Sequence, residues 1–218
     1  MDTNTQESYL ELIIGPMFSG KTSYLINMYK KFVYCNIPVM VVNHSLDTRY
    51  SGEQLSNHDL HMIPCHFIAS LQELWDNPSL QDIYQKSDVI IINEGQFFGD
   101  LEEKVKLLLT HKKKVFIAGL DSDFRQQKFG CMLDLIPICD NVTKLTSLCS
   151  FCKNGKKAIF SLRVSSDKEQ TLIGSSNYAP VCRSCYIHHN NSIVIQGTNS
   201  INNNNNSNNV SHPRIKID

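Results

Sequence analysis

The sequence predicts an α/β fold: a parallel sheet covered by helices on both faces, followed by a small cysteine-rich domain. Short β-branched runs, apolar on both faces, alternate with amphipathic helical segments over residues 9–145, as they do in buried parallel sheets. A glycine-rich motif separates the first strand from the first helix. Two Cys-x-x-Cys pairs follow within residues 146–187, and closely spaced cysteine pairs are typical of a metal-binding domain.

The strands of the first domain are read from short apolar runs. The predicted strands are Tyr9–Ile14, Pro38–Val42, Cys65–Ala69, Val89–Ile92 and Val115–Gly119. Between Ser45 and His61 the chain is polar and rich in turn-forming residues. This stretch is predicted to be a long loop, and long loops in compact domains are usually functional.

Two segments carry the apolar stripe of a helix that packs one face on a sheet. The first stripe is Leu25, Met28, Tyr29, Phe32 and Val33, and the second is Leu101, Val105, Leu108 and Leu109. Asp100 is placed to cap the second helix and Lys112–Lys114 to close it, a charge order that suits the helix dipole. A third helical stretch, Leu71–Ser87, is expected to break at Pro78.

Composition excludes several classes of protein. The 218 residues contain 21 Lys+Arg and 21 Asp+Glu, and such a balance argues against a nucleic-acid or anionic-membrane binder. No apolar run approaches the roughly 18 residues of a membrane span. The start of the chain, Met1–Ser8, lacks the pattern of a secretory signal. The protein is therefore expected in the reducing cytoplasm, without nucleic-acid or membrane partners.

The end of the chain has a different composition. Residues 188–218 are rich in asparagine and include the run Asn202–Asn206. Such a segment has too little apolar surface to offset the entropy of ordering it. It is predicted to be a disordered tail.

The strongest local motif fits G-x-x-x-x-G-K-[ST], the phosphate-binding loop. Its residues are Gly15, Pro16, Met17, Phe18, Ser19, Gly20, Lys21 and Thr22. Glycines let backbone N–H groups turn inward around an anion, and the following helix presents its positive end to it. Lys21 supplies a positive charge to the β- and γ-phosphates, and Thr22 supplies a hydroxyl to Mg²⁺. The alternative is a chance match at a strand–helix turn.

Such a loop is normally accompanied by an acid at the end of a neighbouring strand. The candidate is Glu94, which follows the run Val89–Ile92, with Asn93 beside it. The alternative interpretation is a strand that simply ends in a polar turn.

The cysteines fall into two groups. Two pairs of the same spacing, separated by 29 intervening residues, are Cys149, Cys152, Cys182 and Cys185. Four thiolates in two such pairs predict a closed, structural Zn²⁺ site, although four buried thiols or a redox pair would give the same spacing. The single cysteines Cys35, Cys65, Cys131 and Cys139 are expected to be small buried hydrophobes.

Six motifs together resemble one known family. They are Met17–Thr22, Asp47–Tyr50, Glu94–Phe98, Leu120–Asp121 with Phe124, Lys144–Thr146 and Val181–Tyr186. In this order they resemble the cytosolic, zinc-containing thymidine kinases that also occur in bacteria and large DNA viruses. The resemblance implies a P-loop (RecA-like) ATP-binding domain over 9–145. It also implies a zinc-ribbon or lasso domain over 146–187 that closes over the nucleoside.

The resemblance further implies transfer of the γ-phosphate of ATP to the 5′-hydroxyl of thymidine. Glu94 falls on the catalytic carboxylate of the family, and the phosphate-binding loop is joined at the ATP and Mg²⁺ site by Asp47, Arg49, Asn93 and Gln96. Asn93 replaces the family's usual aspartate, so a higher Mg²⁺ requirement is expected. A homotetramer inhibited by the end product dTTP is also implied.

Nucleoside binding is implied for a second set of residues. Phe124 falls on the aromatic that stacks on the base, and the residues expected to line the same pocket are Met17, Phe97, Leu120 and Phe129. The base edge is expected to meet backbone groups of the loop Ser165–Tyr178, at Leu172, Ile173, Gly174 and Tyr178. The stretch Gly174–Tyr178 is one residue shorter than in the common form.

Two other hypotheses remain open. A zinc-ribbon P-loop ATPase that binds nucleic acid would share the phosphate-binding loop and the cysteines, but it would need a basic, aromatic-rich face. A catalytically inactive relative would be consistent with Asn93.

Overall fold

The computed structural model describes residues 7–47, 54–57, 60–167, 169–172 and 174–189. Two predicted site residues, Arg49 and Ile173, lie outside these ranges. The same holds for the predicted tail from residue 190 onward.

The first part of the described chain is built on a six-stranded sheet. Its strands and an accompanying hairpin are β1 (Tyr9–Ile14), β2 (Val39–His44), β3 (Gln54–Ser56), β4 (Met62–Pro64), β5 (His66–Ile68), β6 (Val89–Asn93), β7 (Lys114–Gly119) and β8 (Asn141–Lys144). The sheet order is β5-β2-β6-β7-β1-β8, and every neighbouring pair is parallel. All five predicted strands are confirmed. The edge strand β8 was not predicted, because its residues are mostly polar and exposed.

Helices cover both faces of this sheet. They are α1 (Lys21–Tyr34), α2 (Glu73–Asp76), α3 (Pro78–Lys86) and α4 (Leu101–Thr110). Pro78 occupies the first turn of α3, and the Asn77 side chain accepts a hydrogen bond from the backbone N–H of Ser79. The break predicted at Pro78 is confirmed, because proline fits the first turn of a helix but not its interior.

The strand residues alternate between two apolar layers. Leu10 and Leu12 of β1 pack with the side chains of α2, α3 and α4. Ile13 packs on the opposite face with Leu25 and Ile26 of α1. Full burial of each such side chain stabilises the fold by about 1.5–3 kcal/mol. Packing on both faces of the sheet therefore fixes the strands and, with them, the positions of their carboxyl ends.

Three details of the helices differ from expectation. Asp100 stands before α4 without capping it. Its carboxylate instead accepts hydrogen bonds from the Ser70 hydroxyl at 2.7 Å and from the backbone N–H of Gln72 at 2.9 Å, ahead of α2. Lys112 and Lys113 close α4 through their backbone N–H groups, which donate to the carbonyls of Leu109 at 3.0 Å and Leu108 at 3.1 Å, but the Lys113 side chain donates to carbonyls at the end of α3. Val33 is 47% exposed, and Ile26 enters the core instead.

The predicted long loop is partly wrong. Within its described residues, β3 pairs antiparallel with β4. Leu55 and Ile63 are the buried apolar residues of this hairpin, and they pack on the α1 side of the sheet. The single cysteines also differ from expectation: Cys65 is buried, but Cys35 is exposed at the end of α1.

The second part of the described chain is small and cysteine-rich. Its elements are β9 (Ser147–Leu148), β10 (Lys157–Ala158), β11 (Phe160–Arg163), β12 (Tyr178–Val181) and a helix, α5, over residues 183–189. Strands β9 and β10 form one antiparallel pair, and β11 and β12 form another. The helix continues past the predicted start of the tail at residue 188. Among the described residues, none of the helices has the length and apolar character needed to span a membrane.

Candidate active site and metal centre

One cleft of about 1070 Å³, part of it open to solvent, brings most of the predicted site residues together. At its phosphate end lie Met17, Phe18, Ser19, Gly20, Lys21, Thr22, Asp47, Glu94 and Gln96. At its other end lie Phe97, Leu120, Phe124, Phe129, Leu172, Gly174 and Tyr178. The predicted residues Gly15, Pro16 and Asn93 are described but do not line this cleft.

The phosphate end is the turn between β1 and α1. Gly15 has φ +151°, and a Cβ there would lie 2.4 Å from the carbonyl oxygen of Leu145. Only glycine fits such a close approach. The Lys21 Nζ donates to the carbonyls of Gly15 at 3.1 Å and Pro16 at 2.7 Å. The ammonium thus lies across the loop at the positive end of α1, where anions are favoured.

Glu94 follows directly on β6, in a strained conformation. Its φ is +53°, in the left-handed region that non-glycine residues rarely adopt. The Gln96 side-chain nitrogen donates to Glu94 Oε2 at 2.6 Å, while Gln96 Oε1 accepts from the backbone N–H of Leu120 at 3.0 Å. Gln96 therefore fixes the orientation of the Glu94 carboxylate.

Asn93 belongs to a buried polar network. It pairs in register with Asn43 of β2, and its Nδ2 donates to Asn43 Oδ1 at 3.1 Å. Asn43 Nδ2 in turn donates to Asp47 Oδ2 at 3.0 Å. Asn43, Asn93 and Asp47 are 0%, 2% and 4% exposed. Asn93 thus reaches the cleft through Asn43 and Asp47, and a direct role toward Mg²⁺ stays a prediction.

The other end of the cleft is aromatic. The rings of Phe97 and Phe129 meet edge to face, with centroids 5.6 Å apart. The ring centroid of His44 lies 5.7 Å from that of Phe97. Burial lowers the pKa of His44, so the neutral imidazole packs as part of an apolar wall. Gly130, in the loop after β7, has φ +58°. A Cβ at this position would lie 2.2 Å from the Gln96 carbonyl oxygen, so the loop approaches Gln96 closely.

The cysteine-rich part supplies the remaining wall of the cleft. Gln170 Nε2 donates to Asp123 Oδ2 at 3.0 Å. The Ser161 hydroxyl accepts from the backbone N–H of Met17 at 2.9 Å, which joins β11 to the phosphate-binding loop. The cleft therefore lies between the two parts of the chain.

The four paired cysteines converge as predicted. The ligand atoms of Cys149, Cys152, Cys182 and Cys185 all lie within 4.8 Å of one another. The Cys152 sulfur is 3.6 Å from that of Cys182 and 3.2 Å from that of Cys185. Zinc bonds of about 2.3 Å in a tetrahedron place sulfurs about 3.8 Å apart, so the cluster is close to the size of a zinc site.

Backbone groups favour a thiolate at this cluster. Burial opposes ionisation of Cys149, but backbone N–H groups of Phe151, Cys152 and Cys182 outweigh it and lower the pKa of Cys149 to about 6. Metal binding requires deprotonated sulfur, and amide donors stabilise that form at Cys149, whereas the hydrogen bond with the Cys152 sulfur raises the pKa of Cys185 to about 12. The donor set therefore fits a structural zinc ion.

Comparisons with known proteins agree with this geometry. Residues 8–186 match the model of a family described as thymidine kinase. The chain belongs to the thymidine kinase family. Thymidine kinase a of Arabidopsis thaliana is 42% identical over 194 residues, which cover 88% of this chain and 79% of the relative.

Two further relatives come from a virus and a bird. The thymidine kinase of Yaba monkey tumor virus is 39% identical, with 86% of this chain and 99% of the relative covered. The cytosolic thymidine kinase of Gallus gallus is 34% identical, with 81% and 76% covered. The cleft described above is therefore the candidate active site of this member of the thymidine kinase family.

Sequence reasoning missed several residues that line the cleft of this thymidine kinase family member. They are Ser23, Leu46, Ser56, Asn57, Ser122, Asp123, Ser161, Gln170 and Thr171. The Asn57 side-chain nitrogen donates to the Ser23 hydroxyl at 3.0 Å, so the β3–β4 hairpin is tied to α1 beside the phosphate-binding loop. No local motif marks these positions, although Ser122 and Asp123 follow a predicted strand end, where ligands of parallel sheets collect.

Proposed function

We propose that the protein is an ATP-dependent nucleoside kinase that transfers the γ-phosphate of ATP to the 5′-hydroxyl of thymidine. One observation carries the proposal. A single cleft joins a phosphate-binding loop, a carboxylate at a strand end and an aromatic pocket, in a chain of the thymidine kinase family. The product would be thymidine monophosphate, a precursor for DNA synthesis. Deoxyuridine is a second substrate to be tested alongside.

The phosphate end suits the triphosphate of ATP. The backbone of residues 15–20 and the first turn of α1 present N–H groups, and Lys21 adds a positive charge. When ATP occupies the loop, we expect Lys21 to exchange its bonds to the Gly15 and Pro16 carbonyls for bonds to phosphate oxygens.

Magnesium is proposed to accompany ATP. The Thr22 hydroxyl and the Asp47 carboxylate line the same end of the cleft, and oxygen donors suit this ion. Magnesium would neutralise charge on the phosphates. Asn43 holds the Asp47 carboxylate by a hydrogen bond and thereby keeps it oriented toward this end. Arg49 is proposed to contact the transferring group, although it lies outside the described residues.

Glu94 is proposed as the general base. It accepts the proton of the 5′-hydroxyl as the bond from that oxygen to the γ-phosphorus forms and the bond to the bridging oxygen of ADP breaks. In a loose transition state the base mainly orients the nucleophile and accepts the proton late. The hydrogen bond from Gln96 at 2.6 Å provides that orientation.

The aromatic end is proposed to hold the pyrimidine. Phe124 is proposed to stack on the base. Phe97, Leu120 and Phe129 line the same end, and Met17 of the phosphate-binding loop lines the same cleft. The segment with Leu172, Gly174 and Tyr178 closes this end. A pyrimidine ring has alternating acceptors and a donor along one edge, which suits backbone amides of that segment.

The proposal is tested with purified protein, radiolabelled ATP, Mg²⁺ and a panel of nucleosides. Thymidine monophosphate should form, and purine nucleosides should give little product. Absence of thymidine phosphorylation in a folded, zinc-containing preparation would contradict the proposal. A fluorescence assay with single-stranded DNA covers the alternative of a nucleic-acid-binding ATPase.

Three finer properties are proposed from the family resemblance. The active form is a homotetramer, which light scattering of the purified protein would detect. The end product dTTP inhibits competitively with thymidine, which steady-state kinetics would show. The protein works in the cytosol, which imaging of a tagged chain would test.

A further inference from the structure

A buried arginine lies behind the nucleoside end of the cleft. Arg163 is the last residue of β11, and it is 5% exposed. Burial of a guanidinium is unfavourable unless its donors and its charge are satisfied. None of the hydrogen bonds found for Arg163 within the described part of the chain goes to a carboxylate. Its environment must therefore compensate the charge in another way.

Main-chain carbonyls receive most of its donors. Nη1 donates to the carbonyls of Asp167, at 3.3 Å, and Glu169. Nη2 donates to the Gln170 carbonyl at 3.2 Å. All three acceptors precede the residues that close the cleft. One side chain therefore fixes the backbone of the segment that leads into the nucleoside pocket.

The same guanidinium also acts through the hydroxyl group of a tyrosine. Arg163 pairs in register with Tyr178 of β12, and Nη2 also donates to the Tyr178 hydroxyl. That hydroxyl donates in turn to the carbonyl of Leu172 at 3.1 Å. Arg163 thus orients the Leu172 peptide indirectly.

Two aromatic rings flank the charge. The guanidinium carbon lies 4.0 Å from the centroid of Phe124 and 4.9 Å from that of Tyr178. Ring faces attract cations, most strongly when water is excluded. Both rings line the cleft, so the arginine that holds the closing segment also holds the proposed stacking ring.

We infer that Arg163 is a positioning residue for nucleoside recognition, and this inference rests on the proposed function. In a planar trans peptide the C=O and N–H groups point in opposite directions. The carbonyls of Glu169 and Gln170 point toward Arg163. The N–H groups of the same two peptides, which belong to Gln170 and Thr171, therefore point away from the guanidinium. Thr171, which carries one of these N–H groups, lines the cleft. The carbonyl oxygens of a pyrimidine are the acceptors that such donors recognise.

The first test substitutes Arg163→Lys, which keeps the charge but loses the planar fork and the stacking. The KM and the dissociation constant for thymidine should rise about tenfold or more, with kcat and the KM for ATP within about twofold. The matched control is Arg183→Lys. Arg183 is exposed and its guanidinium carbon is 5.1 Å from the Phe160 ring, so its substitution should change none of these constants.

A second variant covers the case in which Arg163→Lys does not fold. Tyr178→Phe keeps the ring and removes only the hydroxyl between Arg163 and Leu172. Its KM for thymidine should rise about threefold, with kcat unchanged. The inference would be overturned if both variants fold and bind thymidine as tightly as the wild type, or if kcat falls by the same factor in both variants. Wild-type protein that neither binds nor phosphorylates thymidine would overturn the proposed function itself, so the two failures are distinguishable.

Discussion

Asn93→Asp is the substitution for which the structure changes the expectation most. The family resemblance predicts that a carboxylate at this position lowers the Mg²⁺ requirement. In the structure, however, Asn93 Nδ2 donates to Asn43 Oδ1, and that oxygen also accepts from the backbone N–H of His44 at 3.0 Å. An ionised carboxylate at position 93 would place oxygen against oxygen at a site that is 2% exposed. A rotated Asn43 amide would then lose its bonds to His44 and Asp47.

The magnitude follows from the network. Loss of the hydrogen bond, together with a buried carboxylate that has no donor, destabilises by roughly 2–3 kcal/mol. That is equivalent to a pKa raised by about two units, at about 1.4 kcal/mol per unit. In its protonated form the introduced carboxyl group can donate to Asn43, so the folded variant retains its proton above the unfolded pKa of about 4. The variant should therefore match wild type near pH 4 and lose stability, relative to wild type, as the pH rises to 7.

The assay is urea denaturation of both proteins between pH 4 and pH 8, with Mg²⁺ titrations of activity in parallel. Asn141→Asp is the matched control, because Asn141 is exposed on β8 and its substitution should have no pH-dependent effect. A variant as stable as wild type at pH 8, with a lower Mg²⁺ concentration for half-maximal rate, would refute this reasoning. It would show that residue 93 faces the metal.

Three further predictions concern other parts of the chain. Glu94→Gln should retain thymidine binding by calorimetry and lower kcat by about two orders of magnitude, the usual contribution of a positioned base; near-normal kcat would remove Glu94 from that role. The purified protein should contain about one zinc ion per chain, and Cys152→Ser or Cys185→Ser should lose it and raise the KM for thymidine. Metal analysis that finds an active protein without zinc would contradict this. Deletion of residues 191–218, which the sequence predicts to be disordered, should leave the melting temperature and activity nearly unchanged.

The parts of the fold that sequence reasoning predicted are those with strong local signals. Strands β6 and β7 contain continuous apolar runs because both of their faces are buried, β1 is interrupted only by Glu11, and the phosphate-binding loop is specified within eight residues. The β3–β4 hairpin has no such signal. Its strands have three residues each, and only Leu55 and Ile63 mark its buried face. Such short strands form because a sheet and a helix are already present to pack against.

The direction of polar side chains was the least predictable feature. Asp100 has the sequence position of a cap for α4, yet its carboxylate satisfies backbone donors ahead of α2. Asn93 has the sequence position of a metal-facing residue, yet its side chain turns to Asn43. In both cases the local pattern specifies a polar group, and the choice of partner depends on which neighbouring element offers an unpaired donor or acceptor. Those neighbours are distant in sequence, so periodicity and motifs carry no information about them.

The two ends of the cleft depend on different parts of the fold, and this separates their responses to perturbation. The phosphate end is built on the carboxyl ends of parallel strands, with Lys21 and Glu94 attached to a sheet that is apolar on both faces. The aromatic end, where we propose that the nucleoside binds, is completed by a segment whose two flanking strands, β11 and β12, lie between the cysteine pairs. Removal of zinc should therefore weaken thymidine binding well before ATP binding, because a zinc ion held by the four cysteines would fix the base of that segment and not the sheet. In a chelator titration, the dissociation constant for thymidine should rise at a lower chelator concentration than the dissociation constant for ATP. If both constants rose together, the cysteine cluster would stabilise the whole chain and not this segment in particular.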